Sequence, residues 1–446
     1  MGVTPPPPPA APVRRLELGK VRGQSASSSA QTSAVTVTPP PPRRTTPWKA
    51  GLGSPPAMSN EYNYLKLKSD CPSSLPRYAQ PPKKMRRPGL LLKDILKCLL
   101  LVFGLWILYI LKLSYSTEEC DMKRVHYVDP ERVKRAQKYA RQVLQGECRP
   151  HFVKKEMERL FDQKYGMDSS PFLKENMEMN GDLYKYDPPF GFRKFSSKLQ
   201  NLLKLLPEHD LPENLKAKRC KHCVVMGNGG ILNGLRLGHI LNQFDVVIRL
   251  NSAPVQGYTD HVGNKTTIRM TYPEGAPLSD LEYYLNDLFV AVLFKSVDFN
   301  WLEAMIKNET VPLWVRLFFW KHVADKIPLQ PKQFRILSPV IIKNTAMDML
   351  HYSEPQPRIW GWSQNVPTMG IVAVVLATHL CDEVSLAGFG YDLNQPKTPL
   401  HYFDNLCMAA MNDQTMHNLT TETKFLQRLV KEGTVKDLSG GIHCEF

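Results

Sequence analysis

Large apolar residues are sparse in residues 1–88, where proline, serine, threonine and alanine dominate. Such a composition cannot offset the entropy of ordering the chain, so a disordered tail is expected. Residues 89–113 reverse the pattern. An apolar run from Cys98 to Leu111, lengthened by Ile95, Leu96 and Leu113 with Lys97 reaching back to the interface, approaches the roughly 20 residues that span a bilayer. The run starts too far into the chain for a signal peptide and lacks the polar period of a core helix, so it reads as a transmembrane anchor. Residues 114–185 are charged, with helical spacing in "PERVKRAQKYARQVLQ" and "KKEMERLFDQKY", and read as a stem. "KYDPPFGFRKF" then marks a boundary to a folded domain over residues 186–446.

Within that domain the periods alternate. The helical stretch "SSKLQNLLKLL" precedes the β-branched strand "CVVM", a glycine turn, a helical "LNGLRLGHILNQ" and a second strand, "DVVIRLN". Farther on, "GIVAVVLATHLC" reads as a helix and "VSLAGF" as a strand. Strands alternating with helices predict an α/β, Rossmann-like domain with a mainly parallel sheet flanked by helices. A hydrophobic content of 43% can fill its core.

Charge changes the picture less than its total suggests. The chain carries +15, but residues 1–88 hold 14 Lys/Arg against Glu17, Glu61 and Asp70, so the tail supplies +11. The remainder is nearly balanced and lacks the basic stripe that nucleic-acid binding requires. Lys83, Lys84, Arg86, Arg87, Lys93 and Lys97 precede the apolar run and "STEECD" follows it, which leaves the tail cytoplasmic and everything after the anchor lumenal. Three N-glycosylation sequons, at Asn264, Asn308 and Asn418, lie in the lumenal part. So do seven of the nine cysteines, an odd number, so at least one is free or pairs between chains.

The stretch "KHCVVMGNGGILNGLRLG" has the layout of a nucleotide-binding loop: strand, glycine turn, helix start with backbone N–H groups free for an anion. A dinucleotide fingerprint needs a third glycine and an acid at the end of the second strand. Here those positions are Leu232 and Asn251, which argues against NAD and a tethered oxidoreductase while keeping a nucleotide at the strand ends. "CKHC" alone leaves a redox pair or half a zinc site open, although no second Cys-x-x-Cys accompanies it.

Four ordered blocks resemble the animal sialyltransferases: residues 223–269 their motif L, 365–392 motif S, "HYFD" at 401–404 motif III, and "HNLTTE" at 417–422 motif VS. The resemblance implies a variant glycosyltransferase-A-type fold, a disulfide between Cys223 and Cys381, and a CMP-sialic acid donor held by Asn228, Asn251, Thr368 and Gly370. It implies His417 as base and His401 as partner of the departing phosphate. Glu422 then orients the motif or caps a helix, and His261 stands where the family usually has an acid. It further implies a Golgi membrane location and admits a homodimer or association with other glycosyltransferases.

The chemistry agrees with two histidines. The acceptor hydroxyl needs a base titrating near neutrality, whereas the phosphate leaves readily. No Asp-x-Asp occurs, so no metal or other cofactor is expected. Further stretches, among them "RMTYPEGAPLSDLEYY", resemble the branch of the family that acts on lactosylceramide. The apolar "FNWLEAMI" and "VRLFFWKHV" are either a surface for such a lipid or ordinary core.

Overall fold

The computed structural model describes residues 88–115, 128–166, 169–175, 181, 183–284, 286–355, 366–412, 414 and 416–442. The disordered reading of the tail therefore falls outside the described residues. Helix α1, Pro88–Tyr115, contains the segment Lys93–Leu111, with mean hydropathy 2.2 and no part of it buried. It is the one helix among the described residues long and apolar enough to cross a membrane.

The folded body is a seven-stranded sheet, every neighbouring pair parallel, in the order β5-β4-β3-β2-β1-β6-β7. The strands are β1 (His222–Met226), β2 (Val246–Leu250), β3 (Thr266–Thr271), β4 (Asn286–Ala291), β5 (Phe334–Ile336), β6 (Glu383–Ala387) and β7 (Val435–Asp437). Residues of β1 and β2 are buried on both faces, which is why they read as continuous β-branched runs. The longer helices are α2 (Pro130–Gln145), α3 (Phe152–Phe161), α4 (Ser196–Leu205), α5 (Ser296–Lys307), α6 (Met369–Leu380) and α7 (Leu419–Lys431). Helix α6 is apolar all round and sits in the main core, with Ile371 through Leu380 all buried.

Two features differ from the sequence reading. Helices α2 and α3, within the segment read as a stem, pack into the body: Val153, Met157 and Phe161 of α3 lie in the main core, and Ala136 and Ala140 of α2 in a core beside β1. A disulfide, Cys148–Cys220, ties this segment to the approach of β1. Its helices alternate apolar and charged positions because one face of each packs inward, and "KYDPPFGFRKF" buries Phe190 and Phe192 instead of linking domains.

The second difference concerns the glycine turn. No long helix follows it, only a 3-10 turn at Gly230–Leu232 and a single helical turn at Gly238–Leu241. Gly234 and Arg236 take left-handed backbone, through which a right-handed helix cannot continue. The loop thus has no helix N-terminus to offer an anion.

Candidate active site

A parallel sheet whose strand order reverses leaves a crevice at the carboxyl ends of its strands. Here β1 to β5 run outward to one side and β6 returns on the other side of β1, so the reversal lies between β1 and β6. A cleft of about 600 Å³ opens there. Its walls come from the residues just after the strands: Gly227 and Asn228 after β1, Asn251 after β2, Tyr272 and Glu274 after β3, Phe294 and Lys295 after β4, and Gly388 to Tyr391 after β6.

The glycines serve a crossing of two loops. The Gly227 N–H donates to Ala387 and that of Gly229 to the Gly388 carbonyl, at 2.7 and 3.0 Å. A Cβ on either glycine would collide with the Gly388 carbonyl, and Gly388 itself has φ +79°. The loop carrying His401 is stitched onto the same place, with Gly230 N–H donating to Leu400 and Tyr402 N–H to the Asn228 carbonyl, each at 3.1 Å. Asn228 and His401 are thereby held side by side in the cleft. The side-chain oxygen of Asn228 is buried without a partner, an acceptor left for a ligand.

Asn251 ends β2 in the left-handed region, φ +51°, a conformation asparagine tolerates. Its carbonyl accepts from the fully buried Arg269 at 2.8 Å, and Arg269 is neutralised by Glu282 at 3.2 Å. Arg269 is a positioning residue that the sequence reading missed, because an arginine in a strand reads as solvent-facing.

Thr368 is the N-cap of α6, and Gly370 lies in its first turn. The Thr368 N–H and hydroxyl donate to the two oxygens of Glu422, at 2.8 and 2.6 Å. Glu422 therefore clamps the start of α6 to α7. Burial pushes its pKa up to about 7.

His417 stands just before α7 and lines the cleft. Its Nδ1 lies 2.7 Å from the Val366 carbonyl. A carbonyl only accepts, so Nδ1 carries the proton and Nε2 keeps its lone pair. Burial lowers the pKa of His417 below the ordinary histidine value, an effect the Val366 hydrogen bond partly offsets. The ring is thus neutral and basic at neutral pH. His401 differs: its Nδ1 meets the Asp404 carboxylate at 2.7 Å, and its ring stacks on Phe403. Asp404 and Phe403 together fix the orientation of that ring in the cleft.

The cleft thus brings together His417, His401, Asn228, Asn251, Thr368, Gly370 and Glu422. It does not include His261, which lies in the turn Thr259–Val262 and lines a neighbouring cavity of about 790 Å³ that shares only His401 with the cleft. The Cys223–Cys381 disulfide is formed, joining β1 to the residue after α6, and Cys407 is disulfide-bonded as well. Asn264 and Asn308 are exposed. Asn418 is half-buried, its side-chain oxygen capping α7 through Thr421 N–H.

Residues 172–434 match the family model Glycosyltransferase family 29 (sialyltransferase), more than half of the chain. The chain belongs to this sialyltransferase family. A Homo sapiens lactosylceramide alpha-2,3-sialyltransferase is 75% identical over 391 residues, covering 87% of this chain and 94% of the relative. A Mus musculus CMP-N-acetylneuraminate-beta-1,4-galactoside alpha-2,3-sialyltransferase is 38% identical over 307 residues, 69% of this chain and 80% of the relative. The crystal structure of a mammalian sialyltransferase shares the fold with a TM-score of 0.51 at 24% identity, covering 65% of this chain and 97% of that one. The four sequence blocks quoted above supply most of the sialyltransferase cleft.

Proposed function

We propose that this sialyltransferase moves sialic acid from CMP-sialic acid to the 3-hydroxyl of the terminal galactose of lactosylceramide, by one displacement with inversion. The observation that carries the mechanism is the tautomer of His417, fixed by the Val366 carbonyl. Its Nε2 takes the proton of the galactose hydroxyl as that oxygen bonds to the anomeric carbon. The bond from the anomeric carbon to the phosphate oxygen breaks, and CMP leaves with the electron pair. His401, oriented by Asp404, offsets the charge gathering on that phosphate. Asn228, Asn251, Thr368 and Gly370 hold the donor at the strand ends. The phosphate is a good leaving group and the chain has no Asp-x-Asp, so the reaction is expected to need no metal, and a chelator to leave the rate unchanged.

The acceptor assignment is supported by the 75% identity to the human relative named for that reaction. The apolar helix α1 ahead of the domain fits a type II anchor, and the enzyme works on the lumenal side of the Golgi membrane. A homodimer, or association with other glycosyltransferases, would show in the mass of the solubilised chain. A panel of lactosylceramide, asialofetuin and free lactose with labelled CMP-sialic acid tests the acceptor. Labelling of lactosylceramide is expected. Labelling of asialofetuin alone contradicts the assignment and points to a glycoprotein α-2,3-sialyltransferase.

A further inference from the structure

"FNWLEAMI" and "VRLFFWKHV" look alike in sequence but part company in the fold. Helix α5 buries Phe299, Trp301, Leu302 and Met305. The second stretch buries only an underside, Val315, Phe319 and Val323, and leaves Leu317 (77%), Phe318 (66%) and Trp320 (74%) exposed, next to the exposed Leu313 (74%) and Trp314 (56%) just before it. No acid occurs between Thr310 and Ala324, and Lys321, His322 and Lys326 are exposed around the patch. Leucines and tryptophans on one side with a basic rim are the composition of a segment lying in a bilayer interface.

This patch is continuous with the cleft. Trp320 and the exposed Met416 both line the cleft, and the Lys295 ammonium, another lining group, lies 4.8 Å over the Phe319 ring. Lys295 is in turn fixed by Glu274 and Asp298, at 2.9 and 2.7 Å. The underside of the patch and the wall of the cleft thus form one packed unit. The same chain carries a helix suited to a bilayer. We infer that the Leu313–Trp320 segment seats in the headgroup and acyl boundary of a lipid bilayer, so that a membrane-embedded glycolipid presents its sugar to the cleft past Trp320. This rests on the lipid-linked acceptor proposed above.

The test uses the full chain in phosphatidylcholine nanodiscs. Leu317→Glu/Phe318→Glu, at two positions that do not line the cleft, is expected to lower transfer to nanodisc-embedded lactosylceramide at least about tenfold while transfer to soluble methyl β-lactoside stays within about twofold. Equal rates on the embedded acceptor, or equal losses on both acceptors, overturn the inference. A binding readout separates it from the acceptor assignment: in a Trp106→Phe background, brominated phosphatidylcholine quenches tryptophan emission, and Trp314→Phe removes part of that quenching. Quenching that survives where lactosylceramide is not a substrate refutes the acceptor and upholds the membrane contact. Absent quenching, including the case where the double substitution only dissolves a dimer, overturns the contact.

Discussion

The β1–β6 crossing and the β3–β4 end of the cleft meet at one cavity but are held by different means. At the crossing, backbone meets backbone: Gly227 and Gly229 donate to the loop of Ala387 and Gly388, and the His401 loop is sewn to the neighbouring Asn228 and Gly230. At the other end, side chains hold one another, with Lys295 between Glu274 and Asp298 and Phe319 beneath it. A backbone-built wall tolerates little change, which suits a donor common to a whole family. A wall built by side chains can be refitted, which suits an acceptor that differs between members such as the two relatives named above.

The largest effect is expected where the two walls must cooperate. His417→Ala should lower transfer by about 10²–10⁴-fold, the usual worth of a general base, while CMP binding measured by calorimetry is kept. Cys223→Ser, on the backbone-built side, should cost about 2–5 kcal/mol of stability, read as a lowered denaturation midpoint, since the bond links β1 to the end of α6 across 158 residues. Next come two substitutions of roughly tenfold effect, about 1.4 kcal/mol each, that separate the walls. Asn251→Asp should raise the KM for CMP-sialic acid by placing a carboxylate near an anion, and leave the acceptor KM alone. Trp320→Ala should do the opposite. If either substitution moves both constants equally, the division into a donor wall and an acceptor wall is wrong.

The smallest effect concerns Glu422. Its folded pKa, about 7, lies above that of an exposed carboxyl, so the folded state binds the proton more tightly than the unfolded chain does. The stability this group contributes is complete below the unfolded value and is lost as pH rises through about 7. Glu422→Gln should flatten that part of the stability–pH curve, measured by thermal unfolding between pH 5 and 8.

The wall at the β1–β6 crossing was largely legible in the sequence because its chemistry is local: β-branched runs reveal β1 and β2, and "GNGG", "PTMG" and "HNLTTE" sit directly at a strand end or helix starts. Strands β3 and β5 were not, since Arg269 and Arg335 give them a solvent-facing look although both side chains are fully buried. The Glu422 clamp joins residues 54 apart and leaves no local signature. The packing of α2 and α3 into the body was not legible because charge on their outer faces concealed their apolar inner faces. The partnership of Lys295 with Glu274 likewise appears only when β3 and β4 lie side by side.

The account turns on a neutral His417 with its proton on Nδ1. Its most direct test is the pH dependence of kcat/KM for lactosylceramide. A histidine held below its ordinary pKa by burial is protonated, and useless as a base, only at acid pH. The rate should therefore fall toward acid with an apparent pKa under 6.5, persist in that form in Glu422→Gln, and lose that limb in the residual activity of His417→Ala. A limb that survives in His417→Ala, or one whose apparent pKa lies above 6.5, would contradict it.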